Sequence, residues 1–176
     1  LTAEAWLSVL EASHLIFRVP PWFTNLSKRL VKTPKLYFCD PGLAAWLVGI
    51  RQPSHMSAHP LRGPLFENWA MTELLKARLH NGLRPHLHFL RDKEGHEVDA
   101  LIETEPRTGH IIEIKSGCTV ASDFFDGLDF WRSQLPGHHF QPWLIYGGDA
   151  RQTRERGTTL PWSDLGALLE ALAPTR

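Results

Sequence analysis

Apolar and polar positions alternate along the chain in two rhythms. In TAEAWLSVLEAS (2–13), Trp6, Leu7 and Leu10 follow a Thr2 N-cap candidate and Glu4 at helical spacing. HLIFRVPPWF (14–23) predicts a strand ended by Pro20-Pro21, SKRLVKTPK (27–35) a basic connection, and KLYFCD (35–40) a second strand. Asp40-Pro41 opens a helix to about Val48 or Gly49, with an acid at the N-cap and proline at the first helical position. Residues 50–63, IRQPSHMSAHPLRG, lack periodicity and predict a loop.

The clearest helix is PLFENWAMTELLKARLH (64–80), whose Phe66, Ala70, Leu74 and Ala77 form a broad apolar stripe and which Asn81-Gly82 ends. HLHFLRD (86–92), EVDALIE (97–103) and HIIEIKS (110–116) then predict three strands, joined by the turns KEGH and TEPRTG. SDFFDGLDFWRSQL (122–135) predicts a helix with Ser122 as N-cap, and PWLIYGG (142–148) a buried strand. RQTRERG (151–157) reads as a basic loop before a short helix near WSDLGALLEALA. The class is α/β, and the main domain runs α-β-β-β-α-β. The expected organisation is an N-terminal piece over 1–50, a loop over 51–63 and a main domain over 64–176. Helix, strand, basic turn, strand in the first piece is the order that closes a winged helix. As a DNA-binding signal it is weak, and a helix with a hairpin used for docking is the favoured reading.

Composition narrows the function classes. At 176 residues with 43% hydrophobic content, the chain can bury the core of one ordinary domain. Formal net charge is zero, so any contact with nucleic acid must come from a local patch. Cys39 and Cys118 are too few for a disulfide scaffold and read as reduced thiols of a cytoplasmic protein. The longest apolar run, LAAWLVGI, is too short to span a membrane. A start at Leu1 inside a helical pattern predicts that the chain continues upstream.

The unusual chemistry lies in GHEVDALIETEPRTGHIIEIKSG (95–117). Strand side chains alternate between faces, which groups Val98, Ala100 and Ile102 against Glu97, Asp99, Leu101 and Glu103 in the first strand. In the second it groups Ile112 and Ile114 against Ile111, Glu113 and Lys115. Natural hairpin register brings Asp99 toward Glu113, and two close carboxylates repel and raise a pKa. A hard divalent cation, Mg²⁺ or Mn²⁺, removes that cost. Lys115 beside it can orient a water or stabilise charge on a phosphate.

EVD…EIK, preceded by a helix carrying Glu67 in FEN, resembles the PD-(D/E)XK nuclease superfamily across roughly residues 62–150. The resemblance implies a restriction-endonuclease-like fold: an αβββαβ core with a mixed central sheet flanked by helices. More narrowly, KTPKLYFCDPGLAAWL, GPLFENWAMTELLK, FLRDKEGHEVDALIE and HIIEIKSG resemble the C-terminal part of a prokaryotic AAA-type ATPase family. In that family an ATPase and a winged helix come first. The resemblance makes Asp99 and Glu113 metal ligands, Lys115 the catalytic lysine, and Glu67 an auxiliary acid reaching the metal or its waters. Val98 stands where the superfamily name has proline. The implied activity is Mg²⁺- or Mn²⁺-dependent hydrolysis of nucleic acid, DNA first. ATP would act only through an ATPase domain absent here, since no GxxxxGK loop occurs.

Other features weigh toward blander roles. Glu73, Glu97, Glu103 and Glu105 read as solvated carboxylates, and His86 and His88 as strand histidines without a third ligand. His138-His139 reads as loop, Trp69 and Trp131 as core, and Gln134 as a minor candidate for a phosphate contact. SKRLVKTPK and RQTRER read as solvated basic segments before phosphate-binding ones. Ser116 and Cys118 lack partners for nucleophilic catalysis. The competing functions are a non-cleaving module that docks nucleic acid or protein for the ATPase, and a structural domain that forms a homo-oligomer.

Overall fold

A computed structural model of the chain describes residues 2–22 and 31–173. Thr2 accepts a hydrogen bond from the Ala5 N–H and starts α1 (Ala3–Ala12). Strands β1 (Ile16–Val19) and β2 (Lys35–Phe38) pair antiparallel, with Phe17 opposite Tyr37. Much of the basic connection, Ser27 to Leu30, lies outside the described residues. Asp40 caps α2 (Pro41–Leu47) by accepting from the Gly42 and Leu43 amides.

The expected loop over 50–63 is more ordered than its composition implies. Pro53–Ser57 form a short helix, α3, and the long helix α4 (Arg62–His80) starts two residues before Pro64. Proline is tolerated in a first turn because the amides there have no intrahelical acceptor.

Strands β3 (Leu87–Arg91), β4 (Glu97–Glu105), β5 (Thr108–Lys115), β6 (His139–Tyr146), β7 (Gln152–Arg154) and β8 (Gly157–Pro161) form one six-stranded sheet in the order β3-β4-β5-β6-β8-β7. β3, β4 and β5 are antiparallel neighbours, β5, β6 and β8 are parallel, and β7 pairs antiparallel at the edge. The sheet is therefore mixed, and the order α4-β3-β4-β5-α5-β6 is the expected αβββαβ. α5 (Asp126–Gln134) is the crossover helix and α6 (Gly166–Ala171) follows β8.

Three local expectations are corrected. RQTRERG is a β-hairpin, and its Arg156 is bound to Asp126, Asp129 and the Ser122 carbonyl. Ser122 caps nothing: Ser122–Phe125 form a 3₁₀ turn that runs into α5. The β4–β5 turn needs only Pro106 and Arg107, with Arg107 at φ 64°, and the strands take the residues on either side.

Both faces of the sheet are covered. Ala70, Met71 and Leu74 of α4 pack against Ala100, Ile102, Ile112, Ile114 and Ile145, with Leu168 of α6. Leu128 and Trp131 of α5 pack on the opposite face against Val98, Leu101, Ile111 and Leu144. The sequence pattern expected one apolar and one charged face, with Val98 beside Ala100. Instead Val98 sits on the α5 side, because β4 carries an extra residue opposite β3. His88 pairs with Leu101 but Leu90 with Val98. Such a bulge re-aims the side chains beside it, and Asp99 lies within it.

The N-terminal piece is docked on this sheet. Pro21 bridges to Phe89, the Trp22 N–H donates to the Phe89 carbonyl at 2.8 Å, and the Val31 N–H to the Arg91 carbonyl at 2.9 Å. These contacts cover the outer edge of β3, which would otherwise expose unpaired backbone groups. Asn68 of α4 acts as a surrogate strand partner, accepting from the Phe38 N–H (2.7 Å) and donating to the Phe38 carbonyl (2.8 Å).

α5 approaches β4 so closely that a Cβ on Gly127 would lie 2.2 Å from the Glu97 carbonyl oxygen. Gly127→Ala must push the helix off the strand and is expected to destabilise the protein by about 1–3 kcal/mol, the usual cost of overpacking. Urea denaturation measures this, and an unchanged midpoint would show that the approach is not tight.

Candidate metal centre

At the start of β4 and the end of β5, four carboxylates converge from three elements. Glu67 comes from the first half of α4, Glu97 and Asp99 from β4, and Glu113 from β5. Asp99 and Glu113 are each only 7% exposed. The register that sets Ala100 opposite Ile112 carries Asp99 toward Glu113. The bulge lets the Asp99 Oδ2 reach along the strand and accept the Ile114 N–H at 2.9 Å. The structure thus brings together all four residues singled out from sequence: Glu67, Asp99, Glu113 and Lys115.

Two ammonium groups enter the cluster. Lys115 Nζ lies 2.5 Å from Glu113 Oε1, two residues back on the same strand face. The second is Lys35 of β2, at 2.5 Å from Glu97 Oε1, 2.9 Å from Glu67 Oε1 and 3.3 Å from Asp99 Oδ1. The Tyr37 hydroxyl donates to Glu67 Oε1 at 2.5 Å. Glu97, expected to be solvated, is instead an ion-pair partner of Lys35, with half-exposed Arg91 at 3.6 Å. Lys35, at the end of a basic segment read as solvent-facing, is turned inward. Two in-register contacts cause this: Val19 pairs with Lys35, and Asn68 clamps Phe38 three residues on.

Lys35 and Tyr37 were missed because their partners lie 30 to 64 residues away. One sequence signal existed: a lysine sharing a strand face with a tyrosine, two residues apart, beside a helix rich in apolar residues. The other candidates remain peripheral. Gln134 is exposed and bonded to Ser133, and His88 is half-buried with no ligating neighbours among the described residues. Trp131 is core, whereas Trp69 is only half-buried, edge-on to exposed Trp162.

Burial dominates the electrostatics. It pushes the Asp99 carboxyl up to about 6, helped by Glu67 and opposed by Lys35 and Lys115. Burial likewise pushes Glu113 up to about 8, helped by Asp99 and opposed by Lys115. Burial works against the Lys115 and Lys35 ammonium groups, but the surrounding carboxylates outweigh it and hold both above the ordinary lysine range. Lys115 is therefore a cation here, suited to stabilising negative charge and not to accepting a proton.

One atom is left over. Glu113 Oε2 is buried and has no hydrogen-bond partner among the described residues. Among the described residues no three His, Cys, Asp or Glu side chains close a ligand cage by themselves. Mg²⁺ does not need one: it keeps several waters and takes one or two carboxylates. Asp99 and Glu113, hard oxygen donors with an orphaned lone pair, fit that requirement. A cavity of about 570 Å³ lined by Lys35, Tyr37, Glu67, Asn68, Arg91 and Glu97 gives access to the cluster's outer side.

Residues 62–165 match a family whose description is Domain of unknown function (DUF4143). The chain belongs to this family. Residues 1–54 match a second domain of unknown function, DUF8612, so Lys35 and Tyr37 lie outside the DUF4143 match and the four carboxylates inside it. Uncharacterised proteins of Mycobacterium bovis and Mycobacterium tuberculosis are each 28% identical over 106 residues, 60% of this chain and 23% of theirs. The match thus spans under a quarter of those relatives' length. No solved structure matches. No described helix is long and apolar enough to cross a membrane.

A raised carboxyl pKa stabilises the fold below the unfolded value and loses that contribution as pH rises through the folded value. His88 and His110, whose pKa values burial lowers, drive the opposite trend, which is complete once the unfolded-state imidazoles, near ~6.5, have lost their protons. Between about pH 7 and about pH 9 Glu113 therefore dominates, and the metal-free protein should lose about 1 kcal/mol over that interval. Glu113→Gln should remove the loss, raise the melting temperature in EDTA at the alkaline end, and abolish stabilisation by added Mg²⁺. A wild-type melting temperature that is flat in EDTA, or a variant still stabilised by Mg²⁺, would contradict this account of Glu113.

Proposed function

We propose that the DUF4143 domain hydrolyses phosphodiester bonds in nucleic acid, with DNA the first substrate to test, using one Mg²⁺ or Mn²⁺ held by Asp99 and Glu113. The observation that carries the reading is the buried Glu113 Oε2, unpartnered among the described residues, on a carboxylate that feels the charge of Asp99 and holds the Lys115 ammonium on its other oxygen. A bound ion would supply Lewis-acid polarisation of a phosphoryl oxygen and a more acidic water. The chain supplies the rest. Asp99 is held by the Ile114 amide on Oδ2 and by Lys35 on Oδ1, so the carboxylate keeps a fixed direction. Lys115, charged and rigidly placed on β5, stabilises charge that develops on the phosphate or orients the attacking water. Glu67, fixed by Tyr37 and Lys35, faces the cluster and orders water at its margin.

The resemblance of the element order and of EVD…EIK to PD-(D/E)XK nucleases supports this reading. The mycobacterial relatives are much longer than the matched segment, which leaves room for the attached ATPase domain that the resemblance implies. Free Cys39 and Cys118 suit a reducing cytoplasm. A second reading, a module that binds nucleic acid or protein without cutting, is favoured by one observation: Lys35 and Lys115 hold ion pairs with the cluster's carboxylates, which a purely structural network would also do.

Incubation with linear, nicked and single-stranded DNA in Mg²⁺ or Mn²⁺ separates the two. Cleavage is expected, with Lys115→Ala and Asp99→Asn each slowing it by roughly 100-fold or more, the scale of losing one charge-stabilising group in an active site. DNA that is bound but left intact, also by the ATPase-bearing protein, would leave the binding module standing and remove the nuclease.

A further inference from the structure

Lys35 sits where a second cation would sit. Its Nζ is within 3.3 Å of oxygens on Glu67, Glu97 and Asp99, three carboxylates from two elements. The side chain is four-fifths buried, so these contacts are not weakened by solvent as a surface pair's would be. The backbone leaves it little choice of position. β2 is tied to β1 through the Val19–Lys35 pair and to α4 through Asn68. The ring of Phe89 lies 5.5 Å beneath the ammonium and closes its apolar side. Glu113 Oε2, 3.7 Å from where a Cβ on Gly127 of α5 would lie, has no partner among the described residues. The cluster thus has two cation positions, one filled by a lysine and one open.

We infer that Lys35, delivered by the N-terminal hairpin, is a resident counter-cation that restricts the DUF4143 carboxylate cluster to a single divalent ion, between Asp99 and Glu113. The inference rests on the metal reading above and deepens it. An ammonium and a divalent ion compete for the same oxygen lone pairs, and a buried ammonium with three carboxylate partners is costly to displace unless something replaces it. Two-ion sites for phosphoryl chemistry need a second cation about 4 Å from the first. Here the oxygens that would hold it, Glu67 Oε1, Glu97 Oε1 and Asp99 Oδ1, already face Lys35. Lys35 is thus a positioning residue: it fixes the carboxylates and sets the ion count, and it does so from the unit that precedes the DUF4143 match. The complete site is therefore assembled from both units of the chain.

Counting bound Mn²⁺ tests this without any assay of cleavage. The whole chain is stripped with EDTA, dialysed and titrated with Mn²⁺, with calorimetry reporting stoichiometry and electron paramagnetic resonance reporting free ion. One Mn²⁺ per chain is expected for the wild type and for Lys35→Arg, which keeps the charge. Lys35→Met should bind two. Should that variant fail to fold, Lys35→Gln, which removes the charge and keeps a polar end, carries the same expectation of two. Two ions in the wild type, or one in the folded neutral variants, overturns the assignment of Lys35 while leaving the Asp99–Glu113 site intact. No Mn²⁺ bound by any variant overturns the metal reading, and this inference with it.

Discussion

Taking carboxylates out of water is the constraint that the rest of this structure answers to. Asp99 and Glu113 stand on inner strands of a sheet covered on both faces, so each must find donors or hold a proton. The donors come from far apart: the Ile114 amide through a bulge, Lys115 along β5, Lys35 from β2. Each supply route imposes something on the fold. The bulge shifts Val98 to the other face, the approach of α5 demands glycine at 127, and Lys35 requires the hairpin to be locked to α4. Features that look independent in the fold share one electrostatic cause.

Element order was legible because its determinants are local. Thr2 and Asp40 announce helix starts through their own side chains, and the period of the α4 stripe needs no tertiary information. The segments that were missed are those too short to be stable alone. α3 is 5 residues long and β7 only 3, and neither carries a pattern that outweighs the prolines and arginines around it. Strand β8 forms because it lies in register beside β6, a neighbour of which its own sequence carries no trace.

The site was legible to the extent that it lies within one hairpin. Strand parity groups Asp99, Glu113 and Lys115 because a short turn fixes the register between β4 and β5. Parity misjudged the face occupied by Val98, since a bulge changes the count without leaving a mark in composition. It could not reach Lys35 or Tyr37, whose positions depend on how one unit of the chain docks on another.

Stability alone does not account for the cluster. Replacing a buried ionic group by apolar residues of similar size is often neutral or stabilising, so a fold seeking only a core has a simpler solution here. The chain contains such structural polar groups elsewhere, and they are satisfied. Arg78 donates to the carbonyls of Arg84 and Leu172, and the Trp143 indole donates to His110. The other buried atoms without partners among the described residues are a hydroxyl on Thr159 and ring nitrogens on His88 and His138, which cost less to bury than a carboxylate oxygen. Among the described residues Glu113 alone combines a buried carboxylate, a pKa pushed upward and an open oxygen. A group kept at that cost, in contact with a lysine that stays charged, is what a site that binds a cation and works on an anion requires.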